Sequence, residues 1–284
     1  YRNQFSDDKF FSTSVSAAFG GTTTLIDFAI QWDKNSKMKE IIEHRIKEVE
    51  EEVVIDFSLH ATPTKSSEET IKAVADAIHL GVPSFKIYMV YRDQGRMVDD
   101  GILYGLLEEM KKRKGILMVH AENDAIAEFN QTRFVTKGYT NPSNFPKVKP
   151  NIVEAEAINR VTYLNQKIGS RLYIAHLSTR EGLEIIRQSQ AKGNPVIAET
   201  CPHYLTLSKD EYNYTNGEKF ICSPPLRSHE DISALWKGVS NGLISVISSD
   251  HCGFGLKQKA IGNGNFCQTP NGLPGIETRL PLIF

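Results

Sequence analysis

The sequence predicts an α/β protein with the strand-helix alternation of a (β/α)₈ TIM-type barrel. Seven short, apolar, β-rich segments alternate with helical patterns or loops, which favours parallel strand pairing. The segments are continuously apolar, as is typical of strands in a sheet that helices cover. No Gly-rich turn follows any of them in the manner of a dinucleotide-binding open sheet, which is the alternative architecture.

The predicted strands follow one another along the whole chain. They cover residues 22–30, 53–61, 84–91, 116–123, 172–178, 196–205 and 243–250. Helices are predicted between them from apolar residues at helical spacing. Two capping boxes, Ser66-x-x-Glu69 and Ser178-x-x-Glu181, are predicted to begin two of these helices. A closed barrel needs one more strand and typically about 250 residues.

The two ends of the chain suggest an internal fragment. It starts at Tyr1 and ends inside the apolar segment Leu282-Ile283-Phe284, whereas natural termini are usually polar and loosely held. We therefore expect one barrel domain over residues 1–284, truncated at both ends. The first barrel strand is expected to lie before Tyr1.

Composition limits the classes of function. The 284 residues have a formal net charge of −1, so no overall field favours nucleic acid or an anionic membrane. No apolar stretch approaches the roughly 20 residues of a membrane span, and no secretory signal opens the chain. The four cysteines lack CxxC spacing and are too sparse for a disulfide framework, which predicts reduced thiols and a cytoplasmic location.

Three metal-capable residues lie where apolar segments end and polar sequence begins. They are His120 in ILMVHAEN, His176 in LYIAHLS and Asp250 in ISVISSD. The active sites of (β/α)₈ enzymes lie at these strand ends, and imidazole and carboxylate are ligands of hydrolytic zinc. Each residue alone also fits a structural role, as a hydrogen-bonded histidine or as the N-cap of a helix. Together on one rim they predict part of a metal site.

Lys86 lies within the apolar segment SFKIYMVY. Burial there should lower the pKa of its ammonium toward the neutral amine. The structural alternative is an ion pair with a nearby carboxylate. The functional alternative is carboxylation by CO₂, because the two oxygens of a carbamate can bridge two metals about 3.5–4 Å apart.

Other histidines and cysteines near the strand ends receive weaker assignments. His60 is expected to pack or bond locally, whereas His203 and His251 are expected to line the pocket or to support metal ligands. Neither His203 nor His251 is assigned as a ligand. Cys201 and Cys252, as small buried residues, need no chemical role.

Seven ordered motifs resemble the dihydropyrimidinase/D-hydantoinase family of cyclic amidohydrolases. They are SFKIYMVY, MVHAEN, IAHLS, AETCPHYL, CSPPLR, SSDHC and TPNGLPGIETRLPLIF, and the resemblance covers essentially the whole chain. The opening AFGGTTTLIDFA resembles the segment that follows the first barrel strand of that family.

The resemblance implies a role for each matching metal-capable position. Lys86 matches the carboxylated lysine that bridges two Zn²⁺ ions, His120 and His176 match ligands of one ion, and Asp250 matches a ligand of the other. Asp250 would also carry the proton between water and the leaving nitrogen. Tyr91 matches a catalytic tyrosine whose hydroxyl contacts the substrate carbonyl.

The resemblance also implies a substrate and an assembly. Ser223 and Asn271 match positions that hold the cyclic amide, largely through backbone groups. A metal-bridging hydroxide would open a hydantoin or a 5,6-dihydropyrimidine to an N-carbamoyl amino acid. No nucleic acid or membrane partner is expected, and the family usually forms homotetramers.

The sequence departs from the family pattern in one respect. The first strand of the family supplies a His-x-His pair to the metal site, and no His-x-His occurs in this chain. Most of the accessory β-sandwich of the family is also missing. Two alternatives stay open: an allantoinase-type hydrolase, and a non-catalytic dihydropyrimidinase-like scaffold protein. Tyr91 and CSPPLR favour the hydantoinase side over allantoinase, and the retained ligand positions argue against a scaffold.

Overall fold

The computed structural model describes residues 6–284, in which seven strands pair side by side in chain order. Every neighbouring pair is parallel. The sheet curls into a half-barrel surrounded by helices, which confirms the predicted (β/α)₈-type architecture. The strands are β1 (Thr24–Ile30), β2 (Asp56–Thr62), β3 (Ser84–Tyr88), β4 (Ile116–His120), β5 (Arg171–Ile174), β6 (Val196–Thr200) and β7 (Val246–Ile247).

Helices occupy the connections between the strands. Over residues 6–284, none is both long and apolar enough to cross a membrane. The helices are α1 (Phe10–Phe19), α2 (Met38–Glu50), α3 (Glu68–His79), α4 (Asp100–Arg113), α5 (Asp124–Thr136), α6 (Phe145–Val148), α7 (Asn151–Ile168), α8 (Arg180–Ala191), α9 (Pro202–Thr206), α10 (His229–Ser240), α11 (Leu256–Ala260) and α12 (Arg279–Ile283).

The central strands β3 to β6 place their carboxyl ends along one edge. Lys86 pairs with Met118 across β3 and β4, and Tyr88 pairs with His120, the last residue of β4. Strand β3 is buried along nearly its full length, as is typical of a barrel strand with helices on the outer face and packed side chains on the inner face. Parallel pairing therefore directs the candidate site residues toward a common rim.

Several strands are shorter than the sequence predicts. Strand β6 ends at Thr200 because Pro202 begins α9, and the fixed φ of proline suits the first turn of a helix. The predicted strand 243–250 contains only Val246–Ile247 as regular strand. As a result, His176 and Asp250 lie in the loops that follow β5 and β7 rather than within strands.

Both predicted capping boxes are wrong, because tertiary partners take their side chains. Ser66 exchanges hydrogen bonds with Asp99 at the start of the next helix, and α3 begins one residue later than expected. Ser178 donates to the buried carboxylate of Glu154, and Thr179 instead supplies the side-chain cap of α8. In both cases a hydrogen bond to a residue distant in the sequence replaces the predicted local capping interaction.

Two helices end in the left-handed backbone region with different residues. Lys114 ends α4 at a φ of 59°, and Gly169 ends α7 at a φ of 72°. A side chain makes this conformation unfavourable by roughly 1–2 kcal/mol, whereas glycine adopts it readily. The end of α4 therefore carries strain that the end of α7 avoids.

We expect Lys114→Gly to raise the free energy of unfolding by up to about 1 kcal/mol, and Gly169→Ala to lower it by about the same amount. Urea unfolding of each variant measures both effects. Lys114→Ala is the matched control, since it removes the charge but keeps the Cβ atom. Equal stability of the Lys114→Gly and Lys114→Ala proteins would contradict this explanation.

Candidate active site

Lys86 is a buried ammonium on β3. Its side chain is 4% exposed, between the fully buried Phe85 and Ile87. Burial lowers its pKa, and the negative charges of Asp250 and Glu199 partly oppose that shift. In the described residues these carboxylates act on Lys86 without a direct ion pair, so the predicted structural alternative does not account for the residue. Burial therefore disfavours the charged form of Lys86 relative to an exposed lysine.

His120 and His176 meet at the same point. Their rings contact edge to face at 4.4 Å between centroids, and Lys86 Nζ lies 3.5 Å from His176 Nε2. Burial lowers the pKa of His120 to about 4 and that of His176 well below its ordinary value. Both imidazoles are therefore neutral at physiological pH, the form that coordinates metals.

Glu122 fixes the orientation of His120. Its Oε2 lies 2.8 Å from His120 Nε2 and 2.6 Å from Lys149 Nζ. Burial alone would raise the pKa of Glu122, but Lys149 and His120 outweigh burial and bring it to about 2. With Nε2 held by a carboxylate, His120 Nδ1 remains as the nitrogen that can bind a metal, an arrangement common among metal-ligating histidines.

Glu199 supports His176 through its backbone rather than through its ring. Its Oε1 accepts a hydrogen bond from His176 N at 2.9 Å, and its Oε2 accepts one from Tyr173 at 2.6 Å. His176 has a φ of 40°, in the left-handed region that non-glycine residues rarely adopt. The carboxylate of β6 therefore stabilises a strained backbone directly at a candidate ligand.

Asp250 follows β7 and also has a φ of 40°. Asp250 as a whole residue is exposed to solvent, but its carboxyl group is closely surrounded by protein atoms. This burial raises its pKa to about 6, although the ammonium of Lys86 partly opposes the shift. A carboxyl with that pKa can both accept and return a proton near neutral pH.

Tyr91 lies beside His120, with ring centroids 5.4 Å apart. It has a φ of 72°, so Tyr91, His176 and Asp250 all occupy the left-handed region. Unfavourable backbone conformations of this kind cluster at functional sites.

A cavity of about 180 Å³ opens beside Tyr91. Its lining includes Lys149 and Asn271, and the buried Asn271 Oδ1 has no hydrogen-bond partner among the described residues. Ser223 is linked to the same region by a hydrogen bond, in which Lys149 Nζ lies 2.6 Å from Ser223 Oγ. A larger but flat depression of about 450 Å³ over α10 contains none of the candidate residues. Volume alone therefore does not identify the site.

The three histidines and two cysteines with weaker assignments have the following surroundings. The ring of His60 bonds to Ser84 Oγ at 2.6 Å, and that of His251 bonds to Asp8 and accepts from the Gly275 amide. The buried His203 packs on Tyr204 at 4.2 Å between rings. Cys201 is buried and Cys252 is partly exposed.

The geometry fits part of a metal site. Over residues 6–284, no three His, Cys, Asp or Glu side chains are grouped closely enough to hold a metal ion by themselves. Lys86 is the additional member that joins the two histidines, and it needs carboxylation before it can act as an oxygen ligand. The buried His176 Nδ1 has no hydrogen-bond partner in the described residues. The other ring nitrogen, Nε2, lies 3.5 Å from Lys86 Nζ, so the imidazole has no carboxylate or carbonyl partner among the described residues that would prevent it from binding a metal.

Sequence reasoning missed Glu122, Lys149 and Glu199. Glu122 lies two residues after His120 in HAEN, and Glu199 lies at the end of the apolar segment VIAET. A carboxylate at a buried strand end was the available signal for both. Nothing in the sequence near Lys149 points to Glu122, because the two are 27 residues apart.

Comparisons with curated proteins show similarity to hydantoinases. The chain is 36% identical over 281 residues to a D-hydantoinase of Geobacillus stearothermophilus, which covers 98% of this chain and 59% of that protein. It is 37% identical over 279 residues to a D-phenylhydantoinase of Escherichia coli, covering 98% of this chain and 60% of that protein. No protein-family model matches the sequence. The chain thus spans about 60% of the length of these relatives.

Solved structures agree with the sequence comparison. A D-hydantoinase crystal structure matches with a TM-score of 0.95 and 34% identity over 99% of this chain and 62% of that chain. The dihydropyrimidinase from Brevibacillus agri matches with a TM-score of 0.94 and 30% identity over 98% of this chain and 61% of that chain. The resemblance to the dihydropyrimidinase/D-hydantoinase family is confirmed over nearly the whole chain.

We expect Glu199→Leu to lower the free energy of unfolding by about 1–3 kcal/mol, because His176 N and Tyr173 each lose a buried acceptor. Glu199→Gln is the matched control, since its carbonyl oxygen can still accept from His176 N. Urea unfolding compares the two variants. Equal losses for leucine and glutamine would show that the hydrogen bond to His176 is not the source of the stabilisation.

Proposed function

We propose that this chain, which resembles D-hydantoinases over nearly its full length, is the barrel segment of an enzyme that hydrolytically opens a cyclic amide ring. The substrate would be a hydantoin or a 5,6-dihydropyrimidine, and the product an N-carbamoyl amino acid. One observation carries the proposal: Lys86, His120 and His176 converge at one buried point in forms suited to binding metal. An ordinary hydrophobic core would not gather three such polar groups at one point.

The metal would be held by Lys86, His120, His176 and Asp250. The lowered pKa of Lys86 supports its carboxylation: the neutral amine bonds to the carbon of CO₂ and loses one proton, giving an anionic carbamate. Two zinc ions would supply Lewis acidity and lower the pKa of the attacking water when bound. Further ligands are needed beyond those in this chain.

The residues of this chain have separate tasks in the reaction. Asp250 accepts a proton from the attacking water and returns it to the leaving ring nitrogen, which its raised pKa of about 6 supports. The Tyr91 hydroxyl donates a hydrogen bond to the carbonyl oxygen as negative charge develops there. Ser223 and Asn271 orient the ring. Neither asparagine nor glutamine could replace Asp250, because neither can accept and return that proton.

The size of the cavity supports a small cyclic substrate. A protein cavity of about 150 Å³ accommodates a benzene ring. The space beside Tyr91, about 180 Å³, is therefore suited to a single ring with polar edges. Asn271 lines this space, and its buried Oδ1 has no partner among the described residues, so the proposal assigns it an N–H group of that ring.

The first test is turnover by the full-length protein with hydantoin, 5,6-dihydrouracil and allantoin as substrates. We expect ring opening of one of the first two, and at least a hundredfold loss of kcat/KM in Lys86→Met, more than is typical for residues that only support a ligand. This variant should still fold, since an unbranched apolar side chain of similar length replaces a buried polar group. Lys72→Met on the exposed face of α3 is the control and should keep full activity.

The outcome separates the proposal from its alternatives. Turnover of allantoin alone would support the allantoinase-type alternative. Absence of turnover for all three substrates, together with a protein that binds no zinc, would leave the scaffold alternative.

Metal removal gives a second, independent prediction. Dialysis of the full-length protein against a chelator should abolish ring opening, and added Zn²⁺ should restore it. Metal analysis of the untreated protein should find about two zinc ions per subunit, the stoichiometry of a two-metal site. Full activity in a protein shown to be free of metal would contradict the proposed chemistry.

A further inference from the structure

Lys149 is a buried cation whose contacts all face the candidate site. It is 5% exposed, and its Nζ lies 2.6 Å from both Glu122 Oε2 and Ser223 Oγ. The same ammonium lies 5.0 Å from the centroid of the Tyr91 ring, within the range of cation–π attraction. One side chain thus touches the support of a candidate metal ligand, a candidate substrate residue and the candidate catalytic tyrosine.

A second buried lysine shows what a purely structural arrangement looks like. Lys259 is 2% exposed, and its Nζ donates to the backbone carbonyls of Ile221 and Pro270. Backbone acceptors of this kind hold two loops together and need no particular neighbouring side chains. Lys149 contacts side chains of the site instead, so its position depends on the identity of those residues.

The backbone of Lys149 is linked to the loop that carries His176, the second candidate metal ligand. Its carbonyl accepts from Arg227 Nη1 at 2.6 Å, and Arg227 Nε donates to Ser178 Oγ at 3.0 Å. Ser178 lies in the loop that follows His176, where Glu154 also binds its amide and hydroxyl. The loops after β4 and β5 are therefore joined through Lys149.

Stability does not explain this arrangement. A buried ion pair such as Lys149 with Glu122 is usually no more stable than apolar side chains of the same volume. Removal of one member alone is destabilising, because the other charge is left buried without a partner. A role in placing the neighbouring groups accounts for the pair better.

We propose that Lys149 is a positioning residue that couples the metal-binding side of the site to the substrate-binding side. Its ammonium holds the Glu122 carboxylate next to His120 and the Ser223 hydroxyl next to the cavity. The same group therefore fixes the positions of both side chains. The proposal rests on the ring-opening function proposed above. It does not make Lys149 a catalytic residue, since the ammonium acts through these neighbours.

The test is a double-mutant cycle in the full-length protein with Lys149→Met and Ser223→Ala. Each single change removes the same tether, so each should reduce kcat/KM by roughly tenfold to a hundredfold, the range for losing a hydrogen bond to a charged group. The double variant should be no worse than Lys149→Met alone. A loss equal to the product of the two single losses would overturn the coupling.

A compensated variant distinguishes positioning from folding. Lys149→Met leaves Glu122 charged and unpaired, whereas Glu122→Gln with Lys149→Met removes both charges and keeps an amide that can bond to His120. We expect the pair of changes to recover the urea midpoint lost by Lys149→Met while kcat/KM stays low. Recovery of kcat/KM together with stability would show a purely structural role and overturn the proposal.

Zinc affinity gives a readout that is independent of turnover. Equilibrium dialysis with Zn²⁺ should show about 10–100-fold weaker binding for Lys149→Met, the usual cost of losing support behind a ligand. The exposed Lys147, two residues earlier, is the control, and Lys147→Met should bind zinc as the wild type does. If the wild type binds zinc but opens no ring, the proposed function fails while this measurement still applies. Unchanged zinc affinity in Lys149→Met would overturn the inference even if the wild type is active.

Discussion

Parallel pairing of seven strands in chain order is the constraint on which the site depends. It brings the carboxyl ends of β3 to β7 to one rim, where helices exclude most of the water. In such a volume a charge is retained only beside an opposite charge or strong hydrogen-bond donors. Glu122 meets this condition through Lys149, and Glu199 meets it through the His176 amide and the Tyr173 hydroxyl. At Lys86, burial lowers the pKa of the ammonium, and the negative charges of Asp250 and Glu199 partly oppose that shift. Glu122 and Glu199 also hold in place His120 and His176, the candidate metal ligands of the proposed reaction.

The features that the sequence could predict are those with a local physical signature. Continuous apolar segments identify strands that are buried on both faces, and the alternation with helices identifies the barrel. Lys86 lies within an apolar run and His120 at the end of one, and both stand out because burial of a polar side chain is costly. His176 and Asp250 were predicted for the same reason, although the structure places both in loops after their strands. Both residues have positive φ angles, and such residues cannot belong to a regular strand.

The rest of the site depends on contacts between distant segments. Lys149 and Ser223 are 74 residues apart, so no window of sequence contains both. The failure of the two capping boxes has the same origin. Ser178 has a local partner available in the helix that follows, but the buried carboxylate of Glu154 binds it more favourably. Tertiary electrostatics outweigh local preference wherever a buried charge must be satisfied.

The segment between β4 and α7 has a consequence for redesign by loop exchange. Loops at the active-site end of a barrel are usually the parts that can be replaced to change ligand preference. Residues 124–150 form one wall of the cavity, and they also provide Lys149, which neutralises Glu122 beneath His120. A chimaera with a shorter segment would leave an uncompensated carboxylate beside a candidate metal ligand. In such a loop exchange, Glu122 and Lys149 should therefore be transferred together or replaced together.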